Sequence, residues 1–174
     1  MILSDGEIIE YLNNKKLVVK PLNKAQIQPA SIDIRLGNTF CLLDCEEKGI
    51  IRLGDKVEYN ILSQEKYVLL PGQFVLASSM EYVSLPTDLA AFVEGRSSLG
   101  RIGLSIQNAA WVEPGFSGEI TLELFNASKY AIELCAGYMI GQLIFVKTHK
   151  NVINPYSGKY QNQRGATGSR EYSE

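Results

Sequence analysis

The chain has 174 residues, with 17 Lys and Arg against 19 Asp and Glu, one His and three Cys. This length fits one domain with at most an added arm, and the net charge of −2 gives no electrostatic reason to expect a nucleic-acid polymer as a partner. No apolar run approaches the roughly 18 residues of a membrane span, and three Cys without a visible secretory signal favour a reduced cytoplasm over a disulfide framework.

The first predicted element is a short amphipathic helix from residue 4 to about residue 14. Ser4 and Glu7 have the spacing of a capping box, in which each side chain accepts the backbone N–H of the other residue. The apolar residues that follow at helical spacing are Ile8, Ile9 and Leu12. The sequence predicts no other substantial helix.

From residue 17 onward, short runs of alternating apolar residues are separated by Gly, Pro, Asn and Asp, which is typical of strands and turns. The predicted strands are residues 31–36, 67–70, 74–77, 91–93, 120–125 and 139–146. Strands of five or six residues at this spacing predict an all-β sandwich or barrel. We expect residues 1–150 to form this domain.

The composition changes near Asn151, after which Gly is mixed with Lys and Arg and few apolar residues remain. Residues 151–174 are therefore predicted to be an arm outside the core. The residue types leave two interpretations open at this point. The arm is either a frayed terminus, which is where disorder usually concentrates, or a lid that orders over a bound anion.

Residues 95–105 have the composition of an anion site between apolar runs. An Arg offers a planar fork of donors that matches phosphate oxygens. Neighbouring Ser hydroxyls and the N–H groups of a Gly-containing turn add neutral donors. The candidate anion-binding residues are Arg96, Ser97, Ser98 and Arg101.

Two carboxylates follow this segment at short distance. Glu113 lies in a Pro-Gly turn, and the alternation after it places Glu119, Thr121 and Glu123 on the strand face opposite the apolar one. A solvent-facing strand is the ordinary outcome for such a Glu, but the nearby anion segment favours a site. There Glu123 would take a proton from water and pass it on, which is general acid–base catalysis worth ~10²–10⁴-fold.

Metal chemistry at the protein is not expected. The zinc signature of base deaminases, H-x-E followed by P-C-x-x-C, is absent. Cys41 and Cys45 are four positions apart without further Cys or His ligands, and His149 stands alone between lysines. Because a structural zinc needs four ligands and a catalytic zinc three, we expect no zinc.

Four segments resemble the dCTP deaminases, a family within the trimeric dUTPase superfamily. They are QPASIDIRLG at 28–37, GRSSLGR at 95–101, WVEPGFSGEITLE at 111–123 and GKYQNQRGA at 158–166. They occur in the family's order and span nearly the whole chain. The resemblance implies a distorted β-barrel or jelly-roll subunit and a homotrimer with sites between subunits. It also implies dCTP and dUTP as ligands, dTTP as a possible inhibitor, and Mg²⁺ carried by the triphosphate.

The resemblance also implies roles for individual residues. The matching Glu of the family activates the water that attacks C4 of cytosine, which places that role on Glu123. By the same match, Ser97 and Arg101 assist catalysis and Glu113 contacts both the sugar and the hydrolytic water. The residues expected to bind the nucleotide and its phosphates are Arg96, Ser97, Ser98, Asn108, Glu113, Tyr156, Lys159 and Gln163, with the last three closing over the triphosphate.

The family contains monofunctional deaminases that release dUTP and bifunctional ones that also cleave it to dUMP. Residues 106–111 look closer to the bifunctional kind, so we expect dUMP, ammonia and pyrophosphate as products. Glu113 departs from the family, which usually has Asp there. One extra methylene moves the carboxylate by about an ångström, and misplacement of that size can cost ~10²-fold. Diphosphate cleavage is therefore expected to be the slower step.

Three alternatives remain at this stage. The chain could be a monofunctional dCTP deaminase, or a dUTP diphosphatase in which Glu123 has no role. It could also be a trimer that senses nucleotides without catalysis. The joint presence of the arginines, the serines and Glu123 argues against the sensor.

Overall fold

The computed structural model describes residues 1–44, 49–106 and 111–173. Within these ranges the chain forms twelve strands, and its longest helix is α1 at Asp5–Asn13. The capping box predicts this helix correctly: Ser4 N–H donates to Glu7 Oε2 at 2.9 Å, and Glu7 N–H donates to Ser4 Oγ at 3.5 Å. No helix in the described ranges is long and apolar enough to cross a membrane.

The all-β prediction is confirmed. The strands are β1 Val18–Lys20, β2 Ile27–Gln28, β3 Ser31–Asp44, β4 Glu58–Ser63, β5 Lys66–Leu69, β6 Phe74–Ser84, β7 Leu89–Gly95, β8 Leu104–Ile106, β9 Trp111–Val112, β10 Ser117–Asn126, β11 Ile132–Cys135 and β12 Met139–Lys147. One-turn helices lie at Lys24–Gln26, Ser97–Gly100 (α2) and Glu171–Ser173. Each predicted strand falls within one of these strands, except that Leu70 lies just beyond the end of β5.

The two longest strands, β3 and β6, extend far beyond the predicted five or six residues. β3 has 14 residues and β6 has 11. Their pairing changes register between Leu36 and Phe40 of β3, and this irregularity breaks the alternation of apolar residues on which the sequence prediction depends. The prediction therefore detects only one half of each strand.

The main sheet is curled. Its strands follow the order β8-β10-β6-β3-β12-β7-β9, with β1, β2 and β4 pairing off this path. Seven strands at a spacing of about 4.8 Å would place the two terminal strands roughly 29 Å apart in a flat sheet. Trp111 of β9 follows Ile106 of β8 by five positions, and five residues reach about 18 Å at most. The sheet must curl to bring β8 and β9 together.

The concave side of the curl holds the core. One cluster of buried apolar side chains fills it, and those below 2% exposed include Leu3, Ile8, Leu17, Phe40, Leu89 and Phe145. A separate two-stranded sheet of β5 and β11 covers one side, with Tyr67 of β5 stacked on Phe40 at 4.9 Å between ring centroids. The small sheet thus packs against the core through this pair of rings.

A bulge in β6 turns a charged residue into this core. Opposite β6, the register of β10 steps from Glu119↔Tyr82 to Thr121↔Ser78, so residues 79–81 of β6 face Ile120 alone. The bulged backbone is satisfied locally, because Ile120 N–H donates to Ser79 Oγ at 2.8 Å. Such an insertion bends a strand and redirects its side chains.

The redirected residue is Glu81, which is fully buried. Arg35 donates to both of its oxygens, through Nε at 2.7 Å and through its backbone N–H at 2.8 Å. Gln26 Nε2 donates to the same carboxylate at 2.9 Å and to the Asp33 carbonyl at 2.8 Å. The network ties β3, β6 and the Lys24–Gln26 turn together beneath the bulge.

Replacing Glu81 is expected to destabilise the fold. Glu81→Ala leaves Arg35 and Gln26 without their buried acceptor, and breaking a buried pair in this way typically costs about 3–5 kcal/mol. The measurement is the urea unfolding midpoint at fixed protein concentration. Glu58→Ala is the matched control, because Glu58 pairs with Lys56 at 3.3 Å on the surface. Equal midpoints for the two variants would contradict a structural role for the buried network.

Candidate active site

A cavity of about 550 Å³ opens between β10, the turn before it and the C-terminal arm. Its volume is within the usual range of ligand sites, ≈ 300–1,000 Å³. The aromatic residues that line it are Tyr59, Phe74, Trp111, Phe116, Tyr156 and Tyr160. The polar residues that line it are Glu113, Thr121, Glu123, Gln163, Thr167 and Ser169. Apolar walls with a few polar groups are typical of small-molecule sites.

Glu123 reaches the cavity because of the alternation along β10. Even-numbered residues from Gly118 to Asn126 are buried, and the odd-numbered ones between them are partly exposed. The predicted placement of Glu123 opposite the apolar face is therefore confirmed. Burial raises the pKa of the Glu123 carboxyl above its ordinary value. A carboxylate with a raised pKa is a better proton acceptor, as a general base requires.

Glu113 is presented by a tight turn. Phe116 N–H donates to the Glu113 carbonyl at 3.1 Å, and Gly115 has a φ of +89°. Pro at the second position and a left-handed Gly at the third are the requirements of a type II turn. A Cβ on Gly115 would lie 2.6 Å from Pro155 Cβ, so the turn and the arm fit closely. The side chain of Glu113 is exposed beside the cavity.

The arm packs along β10 and supplies the opposite wall. Tyr156 N–H donates to the Pro114 carbonyl at 2.8 Å, and Asn162 N–H donates to the Ser117 carbonyl at 2.7 Å. Further along, Thr167 N–H donates to Thr121 Oγ1 at 3.2 Å. These contacts place Tyr156 and Gln163, both predicted site residues, on the cavity wall.

Gln163 has a defined orientation. Its Nε2 donates to the Glu119 carbonyl at 2.7 Å, so its Oε1 points away from that strand. Within the described ranges this Oε1 is buried and has no hydrogen-bond partner. A buried acceptor without a donor is costly.

The predicted anion residues lie elsewhere on the chain. Arg96 stands between β7 and α2, where its Nη1 lies 3.5 Å from the Met139 carbonyl. Ser97, Ser98 and Arg101 are exposed around α2. None of these four residues lines the cavity of the same chain. The structure therefore separates the candidate base from the candidate phosphate donors.

Lys159, a further predicted residue, does not line the cavity. Lys159 precedes Tyr160 of the cavity wall, but its Nζ pairs with Glu171 Oε2 at 3.1 Å. Asn108 lies outside the described residues.

The charged side chains that line the cavity are acidic. Of the described residues that line it, Glu113 and Glu123 are the charged ones, and none is Lys, Arg or His. The described ranges also contain no group of three or more His, Cys, Asp or Glu that could hold a metal ion. Cys41 is buried beside Leu76 and Ala166, which is a packing position, and Cys45 lies outside the described residues.

Sequence reasoning missed several wall residues. Tyr59, Thr167 and Ser169 line the cavity, yet nothing in their local sequence marks them, whereas Tyr160, which also lines it, lies within the family motif at 158–166 but is not among the predicted site residues. Tyr59 reaches the wall by its place on β4, where its hydroxyl accepts the Ser169 N–H at 3.1 Å. Thr121 carried a usable signal, because it shares the outward face of β10 with Glu123.

The fold is dUTPase-like. A mutant dUTPase of Staphylococcus bacteriophage 80alpha superposes on 82% of this chain and 97% of its own, with a TM-score of 0.51 and 16% identity, which shows the fold. A dCTP deaminase from Agrobacterium tumefaciens superposes on 85% of this chain with a TM-score of 0.64 and 26% identity, and this chain spans 48% of that longer one.

A family model described as dCTP deaminase-like matches residues 2–148. The chain is 47% identical to a protein of Persephonella marina named "dCTP deaminase, dUMP-forming", over 98% of this chain and 97% of the relative. The chain belongs to the dCTP deaminase-like family.

Proposed function

We propose that the protein is a dUMP-forming dCTP deaminase. Water replaces the amino group at C4 of cytosine and releases ammonia. A second water then cleaves the α,β-phosphate link and leaves dUMP and pyrophosphate. The observation that carries the proposal is a carboxylate of raised pKa, Glu123, in the cavity of a chain from this family. The name of the Persephonella marina relative favours the dUMP-forming reaction over the alternatives.

Glu123 is the base of the first step. In its ionised form it takes a proton from the attacking water, and it then carries that proton toward the departing nitrogen, so one group serves both directions of transfer. The aromatic walls suit a flat pyrimidine ring.

A second subunit supplies the phosphate donors. The cavity of one chain presents two carboxylates and no described cation, and such a surface repels a triphosphate. Arg96, Ser97, Ser98 and Arg101 lie outside that cavity on the same chain, with the serines and Arg101 exposed. We infer a homotrimer in which these residues of one copy face the cavity of the next. Lys159 then closes over the triphosphate with the rest of the arm.

Magnesium enters with the nucleotide. The described residues offer no cluster of three metal ligands, which fits an ion held mainly by phosphate oxygens and water. When bound, Mg²⁺ neutralises phosphate charge and assists departure of pyrophosphate. Residues 151–174 act as the lid, and Asn108 contacts the substrate. Inhibition by dTTP is part of the same proposal. We place the reaction in the cytoplasm, without a nucleic-acid or membrane partner.

Incubation with dCTP and Mg²⁺ is expected to yield dUMP, ammonia and pyrophosphate, resolved by chromatography. Glu123→Gln keeps the shape of the side chain but cannot accept a proton, so deamination should be abolished while dCTP binding stays within about tenfold. In the wild type, kcat/KM should fall as pH drops through the raised pKa of Glu123, because only the ionised form acts as a base.

Each alternative has its own readout in this assay. Accumulation of dUTP would show a monofunctional deaminase, turnover of dUTP alone would show a diphosphatase, and binding without turnover would show a sensor. Ammonia release above a few per cent in the Gln variant would remove Glu123 from the mechanism.

Mixed trimers test whether the site is shared. Arg96→Ala and Glu123→Gln are each expected to be inactive alone, the first through lost triphosphate binding. In a cyclic trimer that contains both variants, in either ratio, one of the three sites combines an intact Arg96 from one copy with an intact Glu123 from its neighbour, so about a third of the sites are intact. Activity should recover to about that fraction in trimers purified through two different tags. No recovery would place both residues in one subunit's site.

Glu113 is expected to control the product ratio. The carboxylate must lie within ~2.6–3.2 Å of the water that attacks phosphorus, and the family reaches this position with the shorter Asp. Glu113→Asp should therefore raise the ratio of dUMP to dUTP released during early turnover. Glu113→Gln is the matched control and should lower it. A lower ratio in the Asp variant would show that the local backbone is adapted to Glu.

A further inference from the structure

Two residues that face each other across strands β6 and β10 hold the C-terminal arm. Glu119 and Tyr82 form a cross-strand pair at the edge of the β6 bulge. Both contact residues 162–165 of the arm, and neither lines the cavity. We call this pair the arm anchor.

Glu119 binds the arm through its carboxylate. Its Oε2 accepts the Gly165 N–H at 2.6 Å, and its Oε1 accepts Arg164 Nη1 at 3.0 Å. The side chain of Glu119 is 19% exposed, whereas that of Arg164 is 66% exposed. Water screens the pair with Arg164, so the charge-assisted bond to the Gly165 N–H is the stronger of the two.

The backbone of Gly165 fits this bond closely. Gly165 has a φ of +67°, and a Cβ at this position would lie 3.2 Å from Thr39 Cγ2. The left-handed conformation favours Gly. The chain can therefore aim the Gly165 N–H at the Glu119 carboxylate without a steric penalty.

Tyr82 holds the residues just before. The guanidinium carbon of Arg164 lies 4.1 Å from the centre of the Tyr82 ring, which is cation–π geometry. The Tyr82 hydroxyl donates to Asn162 Oδ1 at 3.1 Å. Asn162 has a φ of +61°, a conformation that Asn tolerates better than most residues. The anchor thus fixes both sides of Gln163.

Gln163 connects the anchor to the cavity. Its carbonyl accepts the Glu119 N–H at 3.0 Å, and its Nε2 donates to the Glu119 carbonyl at 2.7 Å. These two bonds place its side chain on the cavity wall. The orientation of a substrate-facing residue is therefore set by contacts outside the site.

We propose that Glu119, assisted by Tyr82, is a positioning residue that keeps the arm closed over the cavity before substrate arrives. The expected change in KM rests on the proposed function, whereas the closed position of the arm rests on the contacts alone. An enzyme whose closed form is partly depopulated binds substrate more weakly in proportion. Loss of the anchor should therefore raise KM for dCTP and leave kcat nearly unchanged, because bound nucleotide recloses the arm.

The structural test is amide hydrogen exchange without nucleotide. In Glu119→Ala, peptides covering residues 160–170 should exchange at least several-fold faster than in the wild type. Glu133→Ala is the matched control, because Glu133 pairs with Lys66 at 3.0 Å on β11, away from the arm, and it should leave those peptides unchanged. Tyr82→Phe removes only the bond to Asn162 and should give an intermediate rate.

The kinetic test uses the same variants with dCTP. Glu119→Ala should raise KM roughly tenfold or more and keep kcat within about twofold, whereas Glu133→Ala should change neither. Glu119→Gln retains an oxygen for the Gly165 N–H, so it should restore most of the wild-type KM. If Glu119 had only a general structural role, Glu119→Ala would lower kcat as well as raise KM, and Glu119→Gln would not restore the wild-type values.

The outcomes separate the two proposals. Wild-type exchange rates and KM in Glu119→Ala would overturn the anchor. Faster arm exchange in a protein that does not turn over dCTP would support the anchor and overturn the proposed function. If Glu119→Ala fails to fold, Tyr82→Phe still decides the question, since unchanged exchange of residues 160–170 in that variant would reject the proposal.

Discussion

Strand β10 imposes the constraint from which the site follows. Side chains alternate strictly along it, so Ile120, Leu122 and Leu124 are buried while the residues between them face outward. Burial of apolar side chains keeps this register, because a slip by one residue would expose the apolar set. The outward row then has fixed positions. Glu119 and Thr121 bind the arm, and Glu123 enters the cavity.

The bulge in β6 links stability to this row. It buries Glu81 in the network with Arg35 and Gln26, and Ser79 Oγ from the same bulge accepts the Ile120 N–H. A buried ion pair contributes little net stability compared with apolar residues, but it is costly to break. The pair holds β6 to β3, and the bond from Ile120 to Ser79 holds β6 to β10, where Tyr82 lies opposite Glu119.

Electrostatics supports the proposed sharing of the site between subunits. A carboxylate gains basicity from burial, as Glu123 does, and cations placed against it would remove that gain. The chain keeps Arg96 and Arg101 outside its own cavity. Under the proposed assembly, those cations come from a neighbouring copy and meet the phosphates rather than the base. The acidic wall and the basic segment then act on opposite ends of one nucleotide.

The sequence by itself determined the local features. The capping box of α1, the strands and the outward placement of Glu123 follow from the spacing of polar and apolar residues within a few positions, and the four motifs indicated the family. Only the tertiary structure decided which of these residues meet. Gln163 reaches the cavity because Glu119, 44 positions away in the sequence, holds it there. Arg96 is nearer than that to Glu123 in the sequence, yet it does not line the cavity. Glu81 gave no signal, because a bulge that redirects one side chain depends on the pairing of two distant strands. Such contacts depend on sheet curvature and register, which local patterns do not encode.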